Sequence, residues 1–398
     1  MEEVRMVNKL VVKAIMSDID FGNKYQGTWF DEKDIDTVIN EDTDVYAIDT
    51  DGTESLLGKF RKSVIPKEIV QKGWDAFRLL AIPSRNRGAA AGPIDAKNKY
   101  WSKRIPVDTD KWSTRYKVKG KISKMRVNNV VASGVLGYYE STAFLDAACR
   151  MTGYTRKGLK NFLHGMPFLQ AIDKQFKKLV PKAYEKQFKV AEKHPMYRID
   201  DTAFSTVTVN LNFRTALHKD AGDFHDGFGN LSVIEWGKYH GGITMFPRFR
   251  VGFDVRTGDF LAMNVHEWHT NSPIYETEED KAFNKSLPDI RTRDVETGVI
   301  GTDKLYQRLT FVCYFREKLQ QCEESKTNAY YKREGFDYEK ELIEAKSETI
   351  ASLPIPGYTG TLEMAKHAIE NTAAGASAKL AQTRKRLKAK SKQTRKNR

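Results

Sequence analysis

From Asp200 onward the chain is a series of short runs rich in β-branched and aromatic residues: FSTVTVNLNF, LSVIEW, GITMFP, FRVGFDV, GDFLAMNV and RLTFVCYF. Gly, Pro, Asn and Asp separate them. Runs of this length bounded by turn formers read as strands, and their close succession predicts an antiparallel double sheet of the jelly-roll kind. Upstream, from Ser141 to His194, the period changes. Phe168, Ile172, Phe176 and Leu179 recur three and four residues apart with lysines between them. That spacing predicts an amphipathic helix with one face in the core and a basic face in water. Helices flanking one face of a sheet make the fold class α+β.

The remaining segments are less patterned. The first sixty residues, acidic in the middle (DEKDIDTVINEDTDVYAIDTDG), read as strands and loops and show no motif. Residues 83–94 (PSRNRGAAAGPI) have loop chemistry that lets backbone approach a ligand, without the Gly-Lys-Ser/Thr ending of a phosphate loop. Beyond Glu323 follow a helical stretch (YEKELIEAKSETIA), a Pro/Gly break (LPIPGYTG), a short helix around Leu362 to Asn371 and a basic tail. The expected organisation is a strand and loop region at 1–140, helical support at 141–200, a core at 201–322, C-terminal helices at 323–375 and a disordered tail at 376–398.

Composition narrows the class. In 398 residues, 40% hydrophobic and 11% aromatic content supplies a sizeable core, which excludes wholesale disorder. No window approaches eighteen consecutive apolar residues, and Glu2, Glu3 and Lys9 stand where a signal peptide needs an apolar stretch. Three widely spread cysteines, Cys149, Cys313 and Cys322, support neither a disulfide framework nor a thiolate zinc site. The expectation is a monomer in a reduced intracellular compartment with no membrane partner, nuclear if the source is eukaryotic and cytoplasmic otherwise.

The net charge of +14 is unevenly placed. Residues 379–398 hold ten Lys or Arg and no acid, and residues 97–126 hold eleven against Asp108 and Asp110, leaving the rest of the chain slightly acidic. The second segment interleaves its cations with Tyr100, Trp101, Trp112 and Tyr116, a mix suited to phosphate contact beside base stacking. Arg85, Arg87, Lys117, Lys119 and Lys121 are the candidate contacts to a DNA backbone. A solvated face with a solubilising tail is the competing reading.

Candidate chemistry lies in the β-rich half. His218 and Asp220 follow the run VTVNLNFRTAL. Residues two apart on an extended chain point to one side, so imidazole and carboxylate can meet one ion there. His269, fifty-one residues on, ends another β-run. Two histidines and a carboxylate make the set that holds non-haem Fe(II) with positions left open. His266, three residues earlier, is an alternative third ligand. His225 and His240 flank turns and read as loop residues, while His164, His194 and His367 have no partner spacing. Arg308, with Thr310 two residues on, offers a fork and a hydroxyl to a ligand carboxylate. Cys313 reads as buried packing.

At these residues the chain resembles the TET/JBP family of 2-oxoglutarate- and Fe(II)-dependent oxygenases, which oxidise the methyl group of pyrimidines in DNA. The stretches that carry the resemblance are TAFSTVTVNLNFRTALHKDAGD, GGITMFP, GDFLAMNVHEWHTNSP and RLTFVCYF. It spans roughly Ala203 to Phe315 and extends more loosely to PSRNRGAAAGP and SGVLGYYE. The resemblance implies a double-stranded β-helix core, with His218, Asp220 and His269 as iron ligands. His269 is favoured over His266 by the proline at 273. Arg308 and Thr310 would hold the distal carboxylate of 2-oxoglutarate, and Arg214 its chelating carboxylate. Asp223 would meet the base edge and Tyr314 stack on the flipped base, and Arg316 stands where related enzymes carry a histidine.

The same resemblance implies Fe(II), 2-oxoglutarate and O2 as cofactor and co-substrates, with DNA as partner. Thirty-nine residues separate His269 from Arg308, more than the family's usual spacing, so YETEEDKAFNKSLPDIRTRDVETGV reads as an inserted loop at about 275–300. The expected activity is oxidation of 5-methylcytosine in DNA to 5-hydroxymethylcytosine and beyond. Thymine hydroxylation in DNA is the alternative. A non-catalytic nucleic-acid-binding protein on the same fold is the second alternative, and a hydroxylase of proteins or small molecules a third.

Overall fold

The computed structural model describes residues 6–97, 99–142, 146–294, 297–303 and 306–347, together with 350, 352 and 355. The helix expected around Leu362 to Asn371 and the basic tail lie outside these residues. Two sheets dominate. The larger has ten strands and runs in the order Asn8–Lys13, Thr43–Ile48, Glu54–Arg61, Phe260–Met263, Gly229–Trp236, Gln307–Tyr314, Thr206–Leu211, Val131–Tyr139 and Arg150–Met151, with Ile82–Ser84 paired to Val131–Tyr139. The smaller is Thr270–Asn271, Thr244–Phe246, Val251–Phe253 and Thr37–Ile39. Pairing within them is antiparallel except for Asn8–Lys13 with Thr43–Ile48 and Val251–Phe253 with Thr37–Ile39.

The period of two in each strand divides its side chains between two cores. Leu309, Phe311 and Cys313 of the strand Gln307–Tyr314 are buried with Val207, Val209 and Leu211 of its neighbour. They pack against Trp74 and Phe77 of the helix Lys67–Phe77 and Phe168, Ile172 and Phe176 of the helix Leu159–Leu179. Helices therefore cover one face of the large sheet, as the spacing of Phe168, Ile172 and Phe176 predicts. The other face meets the small sheet, with Phe60, Leu231, Val233 and Leu261 of the large sheet against Ile39, Phe246, Val251 and Phe253 of the small one. That sandwiched core ends where the strands carrying polar inward residues begin.

Several expectations change. Strand pairing crosses the boundary placed at 140: Glu54–Arg61 joins Phe260–Met263, and Val131–Tyr139 joins Thr206–Leu211. The first sixty residues are thus an extension of the core sheet, and they include a helix at Asp18–Tyr25 capped by the Ser17 hydroxyl, which accepts from Asp20 N at 3.2 Å. Helix begins at Gly153 rather than Ser141, because residues 150–151 pair with Val131–Tyr139. The inserted segment folds into a helix, Glu278–Ser286, and a hairpin, Ile290–Arg293 with Ile300–Asp303. Its Leu287 and Ile290 are buried in the helical-side core.

The cysteine reading is corrected as well. Cys149 and Cys322 are joined in a disulfide across 173 residues, their Cα atoms 5.9 Å apart. An odd count at wide spacing gave no sign of it, since the sheet and the C-terminal helix bring the two segments together. Met151 N donates to the Tyr331 hydroxyl at 2.8 Å and the Thr327 hydroxyl to Cys149 O at 2.8 Å. Cys313 is buried, as expected, and burial pushes its thiol well above the usual range. No described helix is long and apolar enough to cross a membrane.

Candidate metal centre and base pocket

His218 and His269 belong to segments that close on each other: each backbone N–H donates to the other's carbonyl at 3.0 Å. Asp220 N donates to Val265 O at 3.0 Å, which fixes the carboxylate beside both rings. His218 Nε2 lies 3.6 Å from Asp220 Oδ1, and His269 Nε2 lies 3.6 Å from Asp220 Oδ2. One donor atom from each residue falls within 4.8 Å of the others, the only such His, Cys, Asp and Glu group among the described residues.

The outer nitrogen of each ring is committed elsewhere. His218 Nδ1 donates to Ala216 O at 2.8 Å, and His269 Nδ1 donates to Glu267 O at 2.9 Å. A carbonyl only accepts, so both Nδ1 atoms carry the proton and both Nε2 lone pairs face the shared point. Burial, reinforced by the neighbouring His269, pushes His218 down to about 4. Its imidazole is therefore neutral at physiological pH, the form that ligates metal. His266 is excluded from this geometry, since its Nε2 meets Phe224 O at 3.1 Å. His225 pairs with Glu317 at 3.1 Å and His240 with Asp280 at 3.1 Å.

The triad opens into a cavity of about 220 Å³, far more than the ~30 Å³ share of one water. The polar face of the central strands lines it: Thr208 and Asn210 from one, Thr310, Val312 and Tyr314 from the next. Arg308 lies on the same strand face, buried behind Thr310, and its Nη1 donates to the Thr310 hydroxyl. Its Nε and Nη2 are buried with no hydrogen-bond partner among the described residues. Gly242, at φ +70°, leaves room for this guanidinium: a Cβ there would stand 2.9 Å from Arg308 Nε. Two unsatisfied N–H groups on a buried cation are costly unless an anion completes them, and a carboxylate fits the fork.

The far wall carries Asp223, Tyr314 and Arg316, all lining the cavity. Backbone bridging holds Asp223 against Arg316. Burial, and then the charge of Asp220, holds the Asp223 carboxyl well above its ordinary range, and its Oδ2 has no partner among the described residues. Arg316 Nη1 donates to the Tyr314 hydroxyl at 3.0 Å, while its Nε pairs with Glu140. Burial pushes Tyr314 up to about 12, so its hydroxyl stays protonated.

Two assignments are corrected. Arg214 does not line the cavity. Its Nη2 donates to Phe30 O and Asp31 Oδ1, both at 2.8 Å, and its guanidinium lies over the Trp29 ring. Phe213 and Thr215, on either side of it, line the cavity instead. Arg87, expected on the outer surface against a DNA backbone, is in the cavity wall and donates to the Ser133 hydroxyl, which donates in turn to Asn210 Oδ1 at 2.6 Å. Arg85, Lys117, Lys119 and Lys121 are exposed and outside the cavity lining. Trp101, expected to stack on bases, is buried against Tyr116 at 6.3 Å between ring centroids, and Trp112 packs over Gly27. The described residues of the inserted segment contribute nothing to the cavity lining: Arg293 Nε donates to Leu79 O at 3.2 Å on the helical side.

Sequence reasoning missed Ser133, Asn210 and Glu140, and also the buried Arg248. Arg248 Nε and Nη2 donate to Glu267 at 2.9 and 2.6 Å, and Nη1 and Nη2 donate to Asp49 at 2.9 Å each. Glu267 supplies the carbonyl that fixes His269, so this pair braces the candidate metal centre. An arginine inside the apolar run ITMFPRFRVGF was the available signal.

Residues 134–317 match the family model Tet_JBP, described as the oxygenase domain of the 2OGFeDO superfamily. Similar proteins include a bifunctional helicase and thymine dioxygenase JBP2 of Leishmania infantum, 32% identical over 188 residues, which are 47% of this chain and 15% of that protein. The JBP2 of Trypanosoma brucei brucei is 36% identical over 151 residues, 37% of this chain and 14% of that protein. The thymine dioxygenase JBP1-A of Trypanosoma cruzi is 31% identical over 188 residues, 47% of this chain and 20% of that protein. The chain thus spans a fifth or less of the length of these relatives. Among solved structures, NgTET1 in complex with 5mC DNA aligns with a TM-score of 0.40 and 11% identity, covering 78% of this chain and 84% of that one.

Proposed function

We propose that this chain, whose residues 134–317 are an oxygenase domain of the TET/JBP family, oxidises the 5-methyl group of a pyrimidine in DNA. The observation that carries the reading is the His218–Asp220–His269 group, with its Nε2 atoms freed by Nδ1 hydrogen bonds, beside a buried Arg308 whose N–H groups lack an anion. Two sheets sharing one inner core, with the group at one end, support a double-stranded β-helix as the architecture.

The donor set fits Fe(II), and the unpartnered fork fits the distal carboxylate of 2-oxoglutarate. Bound together with O2, these supply oxidation of an unactivated C–H bond. The protein's own part is placement. His218, Asp220 and His269 would occupy one side of the metal and leave the cavity side open. Arg308 and Thr310 would hold the co-substrate from behind. Arg214 is not assigned to it. A C5 methyl in a stacked duplex is out of reach of a buried cavity, so the base must leave the stack. Tyr314 would then cover its face, and Arg87 would close the wall through Ser133 and Asn210.

Within the class, 5-methylcytosine is the first reading. Its edge presents a donor followed by two acceptors, and an unpartnered Asp223 oxygen in the cavity wall suits that donor. Thymine is the second reading, favoured by the names of the JBP relatives. The test is mass spectrometry of nucleosides from DNA containing both bases, after incubation with protein, Fe(II), 2-oxoglutarate and ascorbate, with and without chelator. A chelator-sensitive gain of one oxygen on 5-methylcytosine is expected. Oxygen on thymine alone would replace the first reading by the second. No oxidised base from protein that still binds DNA would leave a nucleic-acid-binding module. Asp220→Ala protein should turn over no 2-oxoglutarate, and turnover at the wild-type rate would overturn the ligand assignment.

A further inference from the structure

The small three-stranded sheet Ile105–Val107, Arg115–Val118 and Lys121–Ile122 precedes the family-matched residues and takes no part in the cavity. Its register sets Ile105, Lys117 and Ile122 side by side in one row across the three strands. Directly paired residues share a face, so a lysine stands between two isoleucines that are 64% and 58% exposed. Tyr116, one residue off, turns to the other face and meets buried Trp101. The connection to the last strand passes through Lys119 and Gly120 at φ +45° and +80°. Two successive positive φ values make the tight hairpin turn whose twist matches the flanking strands. A Cβ at Gly120 would meet nothing within 4 Å, so the tip projects into solvent.

Charge on this ribbon divides into two sets. Arg115 and Arg126 face Asp108 at 3.9 and 3.0 Å. Lys117, Lys119, Lys121 and Lys124 are exposed and have no ion-pair partner among the described residues. Between them lie the exposed Ile122 and Met125. A thin sheet that leaves isoleucines and a methionine in water gains little by folding alone, and such a face marks a contact surface. The unpaired lysines specify an anionic partner with apolar edges.

The ribbon is also rooted at the cavity wall. Thr114 and Val127 exchange backbone hydrogen bonds at 2.9 Å, and the next residue, Asn128, joins the ribbon to the loop at 83–94. Asn128 Nδ2 donates to Trp112 O at 2.8 Å, its Oδ1 accepts from Gly88 N at 2.8 Å, and its own N–H donates to Arg85 O at 2.9 Å. Asn129 holds the same loop through Pro93 O at 2.6 Å. Arg87 and Ala90 of that loop line the cavity.

We propose that this ribbon is a duplex grip. Lys117, Lys119, Lys121 and Lys124 contact phosphates flanking the extruded base, and Ile105, Ile122 and Met125 pack on groove edges. A β-ribbon is the size of element that a major groove admits. The inference rests on DNA being the substrate, and the experiment separates the two. Duplex affinity and its salt dependence are measured for the full chain and for a variant carrying Lys117→Gln, Lys119→Gln, Lys121→Gln and Lys124→Gln. Loss of four phosphate contacts should lower the slope of log affinity against log salt by roughly 3 to 4. The KM for duplex should rise at least tenfold at moderate salt, with kcat and the 2-oxoglutarate KM unchanged. Ile122→Ser should weaken duplex binding with the salt slope intact. An unchanged slope and KM in the lysine variant, while wild type oxidises DNA, would overturn the grip and leave the function standing. Wild type that neither binds nor oxidises DNA would remove the reading beneath it. Tighter binding to vesicles of anionic lipid than to duplex would overturn the inference in favour of a membrane surface.

Discussion

Arg308 is the residue whose state in the fold most clearly asks for a ligand. It is 2% exposed, its guanidinium has the Thr310 hydroxyl as its one hydrogen-bond partner among the described residues, and two of its nitrogens are unmatched. A buried guanidinium in that state is destabilising until an anion arrives, so under the proposed function the energy of the missing bonds would appear as affinity for the co-substrate. Arg308→Lys keeps the charge and loses the fork. A hydrogen bond to a charged group contributes about 1.5–3 kcal/mol, so the 2-oxoglutarate KM should rise by tenfold or more. Duplex affinity should stay at the wild-type value, because the cations proposed to hold DNA lie elsewhere. A KM for 2-oxoglutarate unchanged by this substitution would show that the carboxylate is held by another group. Equal losses in 2-oxoglutarate and DNA affinity would point to a general disturbance of the cavity.

The strand Gln307–Tyr314 carries two separate properties on its two faces. Leu309, Phe311 and Cys313 belong to the core beneath the helices, while Thr310, Val312 and Tyr314 line the cavity. Phe311 packs edge-on against Phe168 at 4.9 Å between centroids, so Phe311→Ala should cost about 3–5 kcal/mol in a denaturant titration. Tyr314→Phe keeps the ring but removes the hydroxyl that meets Arg316, and should cost only about 1.5–3 kcal/mol while lowering oxidation of DNA more than turnover of 2-oxoglutarate alone. Equal stability losses would mean the two faces are not distinct. This alternation makes the element legible from sequence, since RLTFVCYF shows its period, whereas His218 and Asp220 lie past the strand Thr206–Leu211, where His218 and His269 pair in an isolated bridge. Arg214 was placed wrongly because proximity to a ligand in sequence ignored the face its neighbours occupy. The N-terminal segment reads only as strands and loops without a motif because its strands are short, and only the pairing of Glu54–Arg61 with Phe260–Met263 makes them part of the core. No local pattern records a partner two hundred residues away.

At the scale of the molecule, three long-range ties hold the N-terminal third and the C-terminal helix to the family-matched residues: strand pairing, the Cys149–Cys322 disulfide and the Arg248 hub. A disulfide typically contributes about 2–4 kcal/mol, largely by restricting the unfolded chain. A reductant should therefore lower the Tm of the wild type and leave Cys322→Ser unaffected, and equal shifts in both proteins would show that the bond does not form. The hub is the more direct support of the candidate metal centre. Arg248 is 1% exposed and joins Asp49, beyond the strand Thr43–Ile48, to Glu267, whose carbonyl orients His269. Arg248→Met removes the cation and leaves two carboxylates facing a site built for pairing, which should cost about 3–5 kcal/mol. The pH dependence identifies the cause. Hydrogen bonding from Arg248, against the opposing effect of burial, holds Asp49 down at about 2, below its ordinary value of 3.8. A carboxyl depressed in the folded state contributes stability that is fully present above pH 4 and is lost as pH falls through about 2. The wild type should lose stability steeply between pH 4 and 2, and Arg248→Met should lose distinctly less over that interval, because its Asp49 titrates near the unfolded value. Urea midpoints measured across that range decide the matter. Parallel curves for the two proteins would mean that Asp49 is not held by Arg248, and the brace behind His269 would then have to lie in Glu267 and the small sheet alone.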